Sequence, residues 1–234
     1  MDSGRARAQR CSIVTAPENP TNDEKQGNVL DRSRVENDSF CLPPLPTVDT
    51  TGLNATLVAS NILISDRNVA ECPDVLCRLG ITHIVTIDTA PLRHDRWPSE
   101  NRFAFHFINA KDEVSEDLLL KLPALFQFMK TAVRTLFHCR MGVSRSAAVC
   151  IAYLMYRDNR SLEDVYGQVC SARTQCGPNE AFVGQLQLFE RMGYKLNIYD
   201  RSFQLYCLSN VLLKAIEYRF DKSLTLDERR EFYQ

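Results

Sequence analysis

The stretch VRTLFHCRMGVSRSAAVCIAYLMY (133–156) constrains this chain more than any other. Val133 to Phe137 has the length and composition of a short strand, and it runs directly into His138-Cys139. Ser146 to Tyr156 is apolar on nearly every side, so it is expected as a helix buried at the centre of the fold. Only residues 140–144 separate Cys139 from Arg145, so a tight loop joins strand to helix. That local order belongs to a layered α/β protein.

The rest of the chain alternates in the same way. TLVASNILI (56–64) reads as a strand, followed by a short helix over about 69–79 that Gly80 ends. ITHIVTI (81–87) and FAFHFIN (103–109) are apolar runs suited to strands buried on both faces. Leu118, Leu119, Leu122, Leu125, Phe126 and Met129 stand at helical spacing within 113–130, a helix that Pro123 must bend or break. Ser161-Leu162-Glu163-Asp164 opens another helix as a capping box, and Asn179–Met192 forms one more, closed by Gly193. Phe203–Ile216 is expected as an amphipathic helix whose stripe packs on the core. The implied architecture is a central, mainly parallel sheet flanked by helices, with ligands received at the strand C-termini, where Cys139 lies. Residues 1–55, rich in Asn, Asp, Ser, Thr, Pro and Arg, read as a disordered tail. A folded domain over 56–198 and a partly helical extension over 199–234 follow.

A net charge of −1 supplies no electrostatic reason for a polyanionic ligand, so nucleic acid is not expected as a partner. Nine cysteines, an odd set with no CxxC pair, suggest neither a disulfide framework nor a zinc ribbon, and fit a reducing compartment. The first residues lack a long apolar segment, and no later run approaches a membrane span. The expectation is a cytoplasmic or nuclear protein with no membrane partner, no metal and no cofactor.

The residue types in HCRMGVSRS (138–146) suit an oxyanion. A loop this short can turn the N–H groups of Arg140, Met141, Gly142, Val143 and Ser144 inward as an anion nest, and Gly142 allows close backbone approach. The helix opening at Arg145 adds its positive N-terminal end. In that field the Cys139 thiol is expected to ionise well below its free value of about 8.5 and to serve as a nucleophile. Arg145 presents a planar fork matched to two phosphoryl oxygens, which lysine cannot reproduce. Ser146 can donate to the sulfur, and His138 is expected to orient the loop rather than transfer protons.

HCxxxxxR followed by Ser resembles the signature of the cysteine-based protein phosphatases, and the form HCxxGxSRS is similar to their dual-specificity branch. Pro178-Asn179, Phe182, Gln185-Leu186 and Glu190 match that branch's PNxxFxxQLxxxE segment in full. The stretches SNILISDRNVAECPDVLCRLGITHIVTID and ERMGYKL are most similar to an atypical subgroup whose members usually carry a C-terminal zinc-binding domain. After Cys176 only Cys207 remains, so no four-ligand site is expected from the tail. The resemblance implies a protein-tyrosine-phosphatase-like fold and phosphoprotein substrates bearing phosphotyrosine, phosphoserine or phosphothreonine. It also implies a cysteinyl-phosphate intermediate and Asn179 in a supporting position.

Such chemistry needs a carboxylic acid to protonate the leaving oxygen. Trp97-Pro98 resembles the acid loop of the tyrosine-specific branch, but Ser99 follows it, and serine cannot serve. Asp112, just beyond FAFHFIN, stands where the dual-specificity family places its acid; Asp117 competes, while Glu113 and Glu116 read as first-turn helix charges. Asp112 and Cys139 are 27 positions apart (139 − 112), a few fewer than the family spacing, and the loss falls in KTAVRT (130–135). The missing turn is expected opposite the pocket. Met141, where alanine is commoner, is expected to point away from phosphate. The competing reading is a weakly active or inactive phosphoprotein-binding or assembly protein, similar to ribosome-assembly factors.

Overall fold

A computed structural model of the chain describes residues 48–95, 97–98 and 103–223, with side chains as far as Ile216. The expected N-terminal tail falls outside the described residues except for 48–55, and so does Ser99. Five strands, β1 (Ala55–Ala59), β2 (Ile62–Ser65), β3 (His83–Asp88), β4 (Ala104–Asn109) and β5 (Thr135–His138), form one sheet in the order β1-β2-β5-β3-β4. Only β1 is antiparallel; the other neighbours are parallel. The register places Ser65 of β2 and Thr86 of β3 on either side of His138, so β2 and β5 end level beside the cysteine and β3 runs two residues further, to Asp88.

Alternation along the strands builds a core on each face of the sheet. Ile62, Ile64, Val85, Ile87 and Phe137 join the larger cluster, against α3 (Leu122–Phe128), α4 (Arg145–Asp158), α5 (Leu162–Ala172) and α6 (Glu180–Arg191). Leu63, Ile84 and Leu136 face the other way, onto α1 (Arg67–Ala70) and α2 (Pro73–Arg78). Helix α4 is buried without a break from Arg145 to Met155, as its all-round apolar composition requires. The last helix, α7 (Arg201–Ser223), adds Phe203 to the core and leaves Leu205, Leu208, Leu212 and Ile216 exposed, so only part of its apolar surface is core packing.

Four sequence expectations need correction. TLVASNILI is a hairpin, turned at Ser60-Asn61, because two polar turn residues interrupt the apolar run. The helix expected over 69–79 is two, since Pro73 opens α2 in its first turn. Strand β4 is a sheet edge in which only Ile108 is buried; aromatic contacts of Phe105 with Trp97 and His94, and of His106 with Phe128, cover it instead. Residues 113–118 are not helical: a 3₁₀ turn at Leu119–Lys121 precedes α3, with Pro123 in its first turn.

Around the 130–135 segment, the helix before it has seven residues and the strand that follows has four. The segment is stitched down at the N-terminal end of β5, where Arg134 Nη1 donates to Leu79 O (3.0 Å) and the Arg134 carbonyl accepts from Thr82 N and His83 N. That is the end of the sheet opposite Cys139, as expected.

Phe189 is fully buried among Phe126 and Tyr194. Phe189→Ala is predicted to destabilise the fold by about 3–5 kcal/mol, read as a lower urea midpoint at unchanged slope.

Candidate active site

Strand β5 delivers Cys139 to the C-terminal edge of the sheet, 2% exposed, at the floor of the 140–144 loop. Its Sγ accepts the Gly142 N–H at 3.2 Å and lies 3.2 Å from Ser146 Oγ. The loop's carbonyls are drawn outward by three separate donors. Arg67 N takes Arg140 O (3.3 Å), Arg173 Nε takes Gly142 O (2.9 Å) and Gly177 N takes Val143 O (3.1 Å). In a trans peptide the C=O and the following N–H point in opposite directions. The N–H groups of Met141, Val143 and Ser144 are therefore turned to the inside, and among the described residues they have no hydrogen-bond acceptor. This is the anion nest, built by its surroundings as much as by its own sequence.

Gly142 cannot be replaced without moving the backbone. Its φ is +69°, and a Cβ there would lie 2.5 Å from Ser65 O and 2.8 Å from Arg173 Nη2. Ser144, at the N-cap of α4, does not cap it. Its hydroxyl donates to Asp112 Oδ1 (2.7 Å) and accepts Asn179 N (3.2 Å), so the helix N-terminus stays open toward the nest.

Arg145 is buried, and its Nη1 donates to Asp88 Oδ1 (2.9 Å) and Ala110 O (3.2 Å). Its Nε makes no hydrogen bond and lies 3.7 Å from Asp112 Oδ2, so the Nη1 side of the guanidinium is held by protein while Nε remains an unsatisfied buried donor. Asp112 stands on the loop after β4, its Oδ1 held by Ser144 and by Asn179 Nδ2 (2.8 Å). Asn179 has no freedom to flip, since its Oδ1 accepts Phe182 N (2.9 Å) as the cap of α6. The structure thus brings Cys139, Arg145, Asp112, Ser146, Ser144 and Asn179 to one place.

A scan with family models matches the dual specificity phosphatase catalytic domain over residues 62–192. The chain belongs to that family. It is 32% identical to the dual specificity protein phosphatase MPK-4 of Drosophila melanogaster, over 71% of this chain and 43% of that protein. It is 36% identical to the mouse dual specificity phosphatase 28, over 57% and 82%. The crystal structure of human DUSP28 superposes with a TM-score of 0.55 at 30% identity, covering 66% of this chain and 100% of that one. The chain thus spans about half the length or less of the longer curated relatives, such as MPK-4.

Within this dual specificity phosphatase domain the family's PNxxFxxQL segment has a physical role. Gln185 Oε1 accepts Leu118 N (2.8 Å) and its Nε2 donates to Glu116 O (2.7 Å), so α6 grips the Asp112-bearing segment at two points beyond Asn179. Asp117 does not compete for the nest: its Oδ1 accepts Leu120 N (3.3 Å) at the following turn. Glu116, expected as a first-turn helix charge, instead ties the segment to Lys121 and to the Lys111 N–H (2.8 Å). Burial pushes its carboxyl up, but those donors outweigh it and the net is lowered. Met141 is 63% exposed, away from the nest. Among the described residues no group of three His, Cys, Asp or Glu is placed to hold a metal.

Two residues of the site escaped the sequence reading. Asp88 closes β3 and bridges Arg145 and Arg67 (3.2 Å). Burial opposes its charge, but the Thr89 N–H and the two guanidiniums outweigh it, and its carboxyl is lowered. Its signal was present, an acid at the C-terminal end of a parallel strand. Arg173 at the C-cap of α5 carried no such signal.

His138 is fully buried, with Nε2 2.8 Å from Thr86 Oγ1. Burial pushes its ring down to about 4. The folded ring is neutral where the unfolded ring, near 6.5, begins to protonate, so the unfolded state binds more protons between those values and stability falls as pH drops through them. Burial lowers His83 and His106 in the same sense. From about pH 8 to about pH 5, His138 alone is predicted to cost roughly 2 kcal/mol, measured by urea unfolding, and His138→Asn is predicted to flatten the slope. Gly142→Ala is predicted to abolish binding of inorganic phosphate and to destabilise by at least about 2 kcal/mol, checked by calorimetry and thermal unfolding.

Proposed function

We propose that this chain is a protein phosphatase that hydrolyses phosphotyrosine and phosphoserine or phosphothreonine through a cysteinyl-phosphate. One observation carries the reading: the Cys139 sulfur, the unsatisfied Nε of Arg145 and Asp112 Oδ2 face a single nest of inward N–H groups. A phosphoryl group seated there has its oxygens on the amides and Arg145, its phosphorus over the sulfur, and its bridging oxygen toward Asp112.

In the first step the Cys139 thiolate attacks phosphorus, the P–O bond breaks, and Asp112 gives its proton to the departing oxygen. In the second, Asp112, now a carboxylate, takes a proton from water; the water oxygen bonds to phosphorus and the S–P bond breaks. The Ser146 hydroxyl, 3.2 Å from Sγ, donates to the thiolate as it leaves. His138, neutral through the physiological range, orients the loop through Thr86. The two-step route requires no metal or cofactor.

The shortened 130–135 segment lies at the far end of β5, which supports turnover rather than binding alone. The exposed side chains of Arg140 and Met141 leave the cradle rimmed by a short loop, which supports phosphoserine and phosphothreonine as substrates alongside phosphotyrosine. The seven cysteines of the described residues are free thiols, in keeping with a cytoplasmic or nuclear phosphoprotein substrate. No helix among the described residues is long and apolar enough to cross a membrane.

Purified protein is predicted to hydrolyse a small aryl phosphate and phosphopeptides, with Cys139→Ser inert and Asp112→Asn slowed about 10²-fold or more in kcat. If wild type and Cys139→Ser bind phosphopeptide alike and neither turns over, the chain is a phosphoprotein-binding module instead.

A further inference from the structure

Arg173 is 4% exposed, yet no carboxylate touches it among the described residues. All three of its nitrogens go to neutral acceptors: Nε to Gly142 O (2.9 Å), Nη1 to Thr56 Oγ1 (3.0 Å) and Nη2 to Asn54 Oδ1 (2.7 Å). Asn54 is anchored in turn, its Nδ2 donating to Asp66 Oδ2 (3.0 Å). Taking a guanidinium out of water without a direct counter-ion is costly, and the cost needs a structural reason.

We propose that Arg173 is a positioning residue of the nest: it holds the Gly142 carbonyl outward so that the Val143 N–H points at the bound oxyanion, and it sets a buried positive charge behind Cys139. The peptide geometry makes the first part direct, because turning Gly142 O outward turns Val143 N inward. The packing is close enough to fix the plane, since a Cβ on Gly142 would lie 2.8 Å from Arg173 Nη2. The second part follows from the connectivity: Arg173 Nε holds Gly142 O, and the N–H of the same Gly142 donates to Cys139 Sγ at 3.2 Å. Burial lowers the guanidinium from its ordinary range, and Cys176, Asp66 and Cys139 are the acidic groups that work against that lowering. A thiolate at Cys139 is one of the few anions within reach of this cation.

Of the other charged groups around the sulfur, Arg140 has an exposed side chain in water, and the buried or half-buried ones have partners. Arg145 on α4 is engaged by Asp88, and Arg67 on α1 by Glu71 and Asp88. Asp112 faces Arg145, His138 is neutral, and Asp66 receives the N–H groups of Asn54, Asn68 and Val69. Among Arg67, Arg145 and Arg173, only Arg173 has no carboxylate within ion-pair distance. The inference rests on the nucleophile reading of Cys139 but not on turnover, and its test separates the two.

The rate of iodoacetamide alkylation at Cys139, followed against pH by peptide mass spectrometry on the full chain, reads the thiolate directly. Protection by inorganic phosphate reads the nest. Arg173→Gln is expected to raise the alkylation midpoint by about one pH unit and to weaken phosphate protection about tenfold or more. Arg173→Lys, which keeps the charge but not the three-way span, is expected to restore the midpoint while leaving protection weakened. Coincident midpoints and equal protection in wild type and Arg173→Gln overturn the proposal. If Arg173→Gln does not fold, the Asn54→Ala/Thr56→Val pair decides: it keeps the cation but frees its anchors, so undiminished phosphate protection overturns the proposal and a loss of about fivefold or more upholds it. If Arg173→Gln shows these shifts and the wild type never hydrolyses a phosphoester, Arg173's role stands and the phosphatase reading falls.

Discussion

The direction of the peptide planes between Cys139 and Arg145 is the constraint on which the site depends. A backbone carbonyl that is buried must find a donor, and here the donors come from three elements distant in sequence: the start of α1, the end of α5 and the turn before α6. Each outward carbonyl leaves an inward N–H. The nest is therefore a consequence of how α1, α5 and α6 pack around β5, and the fold and the site are one object.

The Asp112 segment shows the same economy. It is irregular backbone outside the sheet edge, yet Asn179 and Gln185 of one helix, with Ser144 of the loop itself, hold it by side-chain hydrogen bonds to 112, 116 and 118. Because Ser144 spends its hydroxyl on this segment instead of capping α4, the loop and the acid share an anchor. Asp88 adds a third tie, fixing the guanidinium of Arg145 through Nη1.

Legibility followed interaction range. The buried helix α4, the parallel sheet, Gly142 and the Cys139-Ser146 pairing could be read because each is written in contiguous residues with a strong local rule. Asp112 could be located just past the sheet because strand β4 ends where its apolar run ends. Short apolar runs carry little period: 56–64 has the composition of one strand but turns at Ser60-Asn61, and 113–118 has helical spacing but is held irregular by Pro123 and side-chain ties to α6. Asp88 was visible as an acid at a strand end but had no partner to interpret it.

By itself the amino-acid sequence determined the family and the layered α/β class, and it singled out Cys139, Arg145, Ser146 and Asp112 as candidates, because the spacing of a strand, a five-residue loop and an apolar helix admits few other arrangements. Only the tertiary structure decided which way the loop's peptides face, which nitrogen of Arg145 is tied to Asp88, and that Arg173 holds the Gly142 carbonyl. Those depend on contacts between segments up to about 120 positions apart, such as Arg173 with Asn54, and no local pattern records which distant donor will meet a given carbonyl.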